Sequence, residues 1–158
     1  MLTPNSKAPL FRLKDAEGNL VELKSFLGKK TVVLFFHPKD ETPGCTAEAC
    51  SFRDNYIGFQ AHNAQVIGIS GDSERSHQAF KAKHDLPYPL LSDPTGEVAA
   101  SYGVKKRFGF LKDRVSFVID QSGFIRHAYS SQLQVHKHID ECLRAVQQIQ
   151  LGREAPSL

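Results

Sequence analysis

Apolar and polar positions along this 158-residue chain change period several times, and each change marks an element. "PLFRLKD", then "EGN", then "LVELKSF" reads as two short strands around a turn. "KKTVVLFFH" is β-branched and aromatic without clean alternation, the pattern of a strand buried on both faces. From Thr42 to His62 the spacing turns helical, with Ala49, Phe52, Tyr56 and Phe59 recurring at three and four. "AQVIGISGD" is a second buried strand. "SERSHQAFKAKHD" follows as a helix with Ser73 as its N-cap. "YPLLSDP" is a short strand and turn, and "TGEVAASYG" a short helix closed by Gly103. "DRVSFVIDQSGFIRHAYSS" reads as a hairpin turning at Gln121-Ser122-Gly123, before an amphipathic helix "VHKHIDECLRAVQQIQ".

This order predicts an α/β fold, a sheet with helices on both faces. Neither a repeat nor a linker interrupts it, so residues 1–158 are expected to form one domain. With 41% apolar and 23% charged residues the chain reads as soluble and globular. No apolar run approaches the ~20 residues that span a bilayer, and "MLTPNSKAPLFRL" lacks the pattern of a signal peptide, so a cytoplasmic location is expected. A net charge of +3 is too mild to demand nucleic acid or membrane as a partner. Three cysteines do not make a disulfide scaffold; such thiols are more often catalytic, metal-binding or buried.

Chemistry concentrates in "HPKDETPGCTAEAC", at the junction of strand and helix. Thr42 suits an N-cap and Pro43 the first helical position. Gly44 lets the backbone approach a ligand closely, and Cys45 falls in the first turn. There the unpaired N–H groups and the positive end of the helix dipole favour a thiolate, so Cys45 reads as a nucleophile. Cys50 follows five residues later. On an intact helix the two are separated by about 140° and roughly 7.5 Å of rise. Their α-carbons then stand roughly 8–9 Å apart, beyond the ~7 Å limit for a disulfide, so the pair can close only if the first turns unwind.

"PKDETPGCTAEAC" resembles the peroxidatic motif of peroxiredoxins, Pro-x-x-x-Thr-x-x-Cys, and the second cysteine resembles that of the peroxiredoxin Q (bacterioferritin-comigratory) subfamily. The likeness continues through "VIGISGDS", "LPYPLLSD", "RVSFVID" and the "HID" helix. It implies a thioredoxin-like fold with an added N-terminal β-hairpin and reduction of hydroperoxides through a sulfenic acid on Cys45, with no cofactor and no metal. It further implies that Arg114 holds the thiolate and a peroxide oxygen and that Pro38 shields the sulfur. Cys50 would resolve the sulfenic acid as a disulfide, and thioredoxin or a similar dithiol would reset a monomeric enzyme. In this scheme the Thr42 hydroxyl accepts from the peroxide while donating to the thiolate, or else is occupied as the helix cap. The N–H groups of Cys45 and Gly44 are further donors to the reacting oxygens. Glu48 orients Arg114, or is a plain acid in a helix's first turn.

His37 stands where relatives often carry an aromatic residue, and reads either as tuning Cys45 or as a packing substitute. Cys142 shares a helix face with Ile139, Leu143, Val146 and Ile149 and reads as a core thiol. The other six histidines show no ligand spacing, and "VKKRFGFLKDR" reads as a basic loop bordering the active site. Two rival readings stay in view. A disulfide reductase would favour Cys-x-x-Cys over Cys-x4-Cys, and a metal-binding module built on Cys45, Cys50 and His37 would need thiols that share a helix face.

Overall fold

A computed structural model describes residues 1–107, 110–111, 114–132 and 134–154. Its centre is the run that sequence marks as buried on both faces. Strand β3 (Thr31–Phe36) is buried at every position. Val32, Leu34 and Phe36 enter one core with Ile67, Ile69, Tyr102 and Phe117. Val33 and Phe35 enter the other with Phe52, Phe59, Phe80 and Tyr88. Alternation is missing from the sequence because both faces are apolar interiors.

Around it run β1 (Arg12–Asp15), β2 (Leu20–Glu22), β4 (Ala64–Ser70), β5 (Leu90–Ser92), β8 (Val115–Ile119) and β9 (Ile125–Ser130), in the order β2-β1-β5-β4-β3-β8-β9. The pairs β3–β4 and β4–β5 are parallel; β3–β8, β8–β9, β1–β5 and β1–β2 are antiparallel. A separate two-stranded pairing joins β6 (Lys106–Arg107) to β7 (Phe110–Leu111). This is the expected mixed thioredoxin-like sheet with the β1–β2 hairpin added at its edge.

Helices α1 (Pro43–Asp54), α2 (Tyr56–Ala61), α3 (Glu74–His84) and α5 (Val135–Glu154) supply the Phe52, Phe59, Phe80 and Val146 side chains of one core. The short α4 (Glu97–Ser101) gives Ala99 to the other, beside Leu23 of a 3₁₀ turn. Ser73 caps α3 as expected, its hydroxyl oxygen accepting from the Ser76 N–H. Gly103 follows α4 at φ +71, a left-handed position that glycine takes without strain.

The single helix expected from Thr42 to His62 is two. Asn55 interrupts it, and its side-chain amide donates to the Ser51 carbonyl at 2.8 Å, the local competition with the helix ladder typical of asparagine. The reading of a basic loop bordering the active site falls on a stretch whose side chains from 106 to 113 lie outside the described residues.

Candidate active site

β3 delivers the chain to the site. After Phe36, the His37 N–H continues the sheet by donating to the Ile69 carbonyl, and Pro38 sits half-buried in the bend that follows. Glu41 takes φ +64, an uncommon left-handed turn for a non-glycine residue, and the chain reverses into α1. Pro43 opens the helix as expected. Thr42 has the backbone of an N-cap but does not act as one. Its hydroxyl donates to the Lys39 carbonyl at 2.8 Å, so its proton closes the loop and is committed neither to the helix nor to the sulfur. The expectation that Thr42 either caps α1 or donates to the thiolate is corrected by that bond; its oxygen keeps acceptor capacity.

Cys45 lies buried in the first turn of α1. Arg114 reaches it from the residue before β8, which is placed here because β8 pairs antiparallel with β3, Val115 opposite Phe36. The Arg114 Nη1–H donates to Cys45 Sγ at 3.3 Å and to Glu48 Oε1 at 3.2 Å. A fixed positive charge therefore sits against the sulfur, and the Glu48 carboxyl shares the same guanidinium nitrogen. Gly44 makes the approach possible: a β-carbon there would stand 2.7 Å from Arg114 Nη2. The structure thus brings Gly44, Cys45, Glu48 and Arg114 together, with Thr42 at the helix entrance.

Glu48 is not the plain first-turn acid of the alternative reading, because it lies beyond the first turn of α1. It is fully buried, and burial pushes its carboxyl up to about 8 against the opposing charge and hydrogen bond of Arg114. Its Oε2 has no hydrogen-bond partner among the described residues and faces His138 Nδ1 at 3.6 Å. His138 itself is held by two bonds: its Nε2–H donates to the Ser131 carbonyl, and Nδ1 accepts from the Ser116 hydroxyl, each at 2.8 Å. Burial pushes its imidazole down to about 4.

Cys50 is half-buried on α1, and all three cysteines are free. Cys45 and Cys50 thus lie on one intact helix, which holds them apart. Tyr88 steadies that helix from below, its buried hydroxyl donating to the Ala49 carbonyl at 2.7 Å. Cys142 lies in the core as expected, and burial raises its thiol.

His37 does not touch Cys45 by any hydrogen bond described. Its ring packs beside Phe35 and Phe80, and its Nε2 meets Asp40 Oδ1 at 2.8 Å. The other Asp40 oxygen meets His77 Nδ1 at 2.6 Å. Burial pushes the Asp40 carboxyl up, but the two imidazoles outweigh it and hold it below the usual carboxylate range. Asp72 completes the group by accepting from the Asp40 N–H at 2.9 Å. The reading that no histidine besides His37 shows ligand spacing misses this juxtaposition. Thirty-seven residues separate Asp40 from His77 in sequence, and only the parallel packing of β3 and β4 closes the gap.

Residues 4–128 match the AhpC/TSA family. The chloroplastic peroxiredoxin Q of Suaeda salsa is 48% identical over 149 residues, 94% of this chain and 69% of the relative. That of Sedum lineare is also 48% identical, over 94% of this chain and 80% of the relative. Among solved structures, peroxidoxin BcpB from Mycobacterium tuberculosis superposes with a TM-score of 0.88 at 36% identity, covering 94% of this chain and 99% of that one. The bacterioferritin comigratory protein of Xanthomonas campestris gives 0.81 at 28% identity, covering 89% and 92%. The plant relatives overturn the cytoplasmic expectation, since both are chloroplastic proteins.

Proposed function

Because this chain belongs to the AhpC/TSA family and is a thiol-dependent peroxidase of the peroxiredoxin Q type, we propose that Cys45 and Cys50 carry its cycle between them. The observation that carries the assignment is the Arg114 guanidinium donating to the Cys45 sulfur at a helix start. In the first step the Cys45 thiolate attacks the terminal oxygen of a hydroperoxide. The O–O bond breaks, the sulfur takes the terminal OH to become a sulfenic acid, and the departing alkoxide or hydroxide takes a proton from solvent to leave as alcohol or water.

Negative charge shifts from sulfur to the leaving oxygen, and Arg114 stands where it can follow that shift without reorganising. Glu48 fixes the guanidinium by accepting from the same Nη1 that donates to the sulfur. The free acceptor capacity of the Thr42 oxygen suits the O–H of a hydroperoxide, and Pro38 in the preceding bend limits water at the loop. In the second step Cys50 attacks the sulfenic sulfur, water leaves, and a Cys45–Cys50 disulfide forms after the first turns of α1 unwind. A dithiol protein of the thioredoxin kind then reduces the disulfide.

Mixing the fully reduced protein with hydrogen peroxide under stopped flow tests the reading. Cys45→Ser should abolish peroxide consumption, since a serine hydroxyl does not ionise to a nucleophile near neutral pH. Retention of even a tenth of the wild-type rate would place the chemistry elsewhere.

A further inference from the structure

We propose that His37, Asp40, Asp72 and His77 form a binding site for a divalent transition-metal ion of the zinc class. One ligand atom from each lies within 4.8 Å of all the others, and His37, Asp40 and His77 are buried. Two imidazole nitrogens and two carboxylate oxygens are the donor set that zinc, cobalt(II) and nickel share. An ion pair of His77 with Asp40 would be an ordinary buried contact. It does not explain a second imidazole and a second carboxylate converging on the same point.

The surroundings are those of ligands already aimed. His77 turns Nδ1 into the cluster while its Nε2 faces the Leu91 carbonyl at 3.1 Å, the partner a metal-bound imidazole needs for its other N–H. The Ser76 hydroxyl donates to Asp40 Oδ2 at 3.1 Å, and the Ser70 hydroxyl donates to Asp72 Oδ2 at 2.5 Å. Both carboxylates are thereby oriented. On binding, the ion takes the lone pairs of His37 Nε2 and His77 Nδ1, and the protons now on those nitrogens pass to the opposite ring nitrogen or to solvent. Ligand atoms around tetrahedral zinc stand about 3.3 Å apart, given Zn–N bonds near 2.0 Å. Asp72, half-exposed after β4, is the ligand with room to close that distance and marks the side from which an ion enters.

None of the four ligands is Cys45, Glu48 or Arg114, so the test does not depend on turnover. Reduced protein is titrated with cobalt(II) alone and followed by visible absorption, then zinc is added in competition. One equivalent should bind with a four-coordinate spectrum that lacks a thiolate charge-transfer band, and zinc should displace it. The Cys45→Ser/Cys50→Ser double variant should give the same spectrum. His37→Phe should weaken cobalt binding by on the order of 100-fold, as should Asp72→Asn. The His37 ring already packs beside Phe35 and Phe80, so phenylalanine fits there, and Asp72 is half-exposed; both variants are expected to keep the fold, which far-ultraviolet circular dichroism checks beside the titration. Absence of stoichiometric cobalt, loss of the spectrum in the cysteine double variant, or wild-type affinity in both substitutions would overturn the site.

Discussion

Arg114 reaches Cys45 across the bare α-carbon of Gly44, with Nη2 2.7 Å from where a β-carbon on that residue would stand. Real β-carbons do not tolerate such a contact, so any side chain at 44 must push the guanidinium away from the sulfur. Gly44→Ala should therefore slow the attack on peroxide by on the order of 10-fold or more, the scale set by a displaced preorganised donor. The helix itself should keep its stability, because alanine is the better helix former. Stopped-flow rates beside thermal unfolding separate the two; an unchanged peroxide rate would detach Arg114 from the reaction.

Arg114→Lys keeps the charge and loses the planar guanidinium whose Nη1 donates to both Cys45 and Glu48. The peroxide step is expected to slow by on the order of 10²-fold. Under the same conditions the affinity for a dithiol reductant should not move. Peroxide kinetics equal to wild type would show that charge near the sulfur suffices.

Glu48 and His138 predict a pH dependence of stability. Burial raises Glu48 from 4.5 to about 8, so the folded state holds a proton that the unfolded state has released across that window, and stability falls as pH rises. Burial lowers His138 from 6.5 to about 4, so between those values stability rises with pH. The two oppose each other from about pH 4.5 to 6.5, and Glu48 acts alone from 6.5 to 8. Over that upper range unfolding free energy should decline by at most about 1.4 kcal/mol per pH unit. Glu48→Gln should flatten the decline; denaturant midpoints from pH 6 to 8.5 measure it, and an unchanged slope would remove Glu48 as its source.

Oxidation should convert α1 locally to loop while β3 and β4 persist. Amide exchange in residues 43–52 is expected to speed up sharply on forming the Cys45–Cys50 disulfide. Cys50→Ser should leave the first peroxide attack fast and accumulate sulfenic or sulfinic acid on Cys45 in mass spectra. Equal exchange in both redox forms, or a disulfide to Cys142, would end the unwinding mechanism.

Sequence carries much of this molecule because local signals agree with the fold. The apolar run of β3, the Thr42-Pro43-Gly44-Cys45 helix start and the amphipathic face of Cys142 each depend on neighbours within a few residues. Arg114 was legible only through the motif it resembles, since nothing local distinguishes an arginine at a strand start. Features that depend on long-range packing were not legible. The committed proton of Thr42 depends on how the loop from Lys39 turns, and the depth of Glu48 on how α5 covers α1. His77 meets Asp40 only because two strands run side by side. Periodicity alone also missed the break at Asn55, where one side-chain amide competes with the helix ladder.

The bond from the Tyr88 hydroxyl to the Ala49 carbonyl gives α1 a restoring force. In the proposed cycle, melting the first turns to let Cys50 reach Cys45 would leave the phenol in the core without its acceptor, a loss of about 1–3 kcal/mol. The disulfide of the proposed cycle would have to hold the helix open against that pull, so its sulfurs would behave as a drawn spring. Reduction would release it, and the helix would close around the regenerated thiol. In this way a single phenol that never meets substrate would make the oxidised form easier to reduce and shorten the time the enzyme spends open.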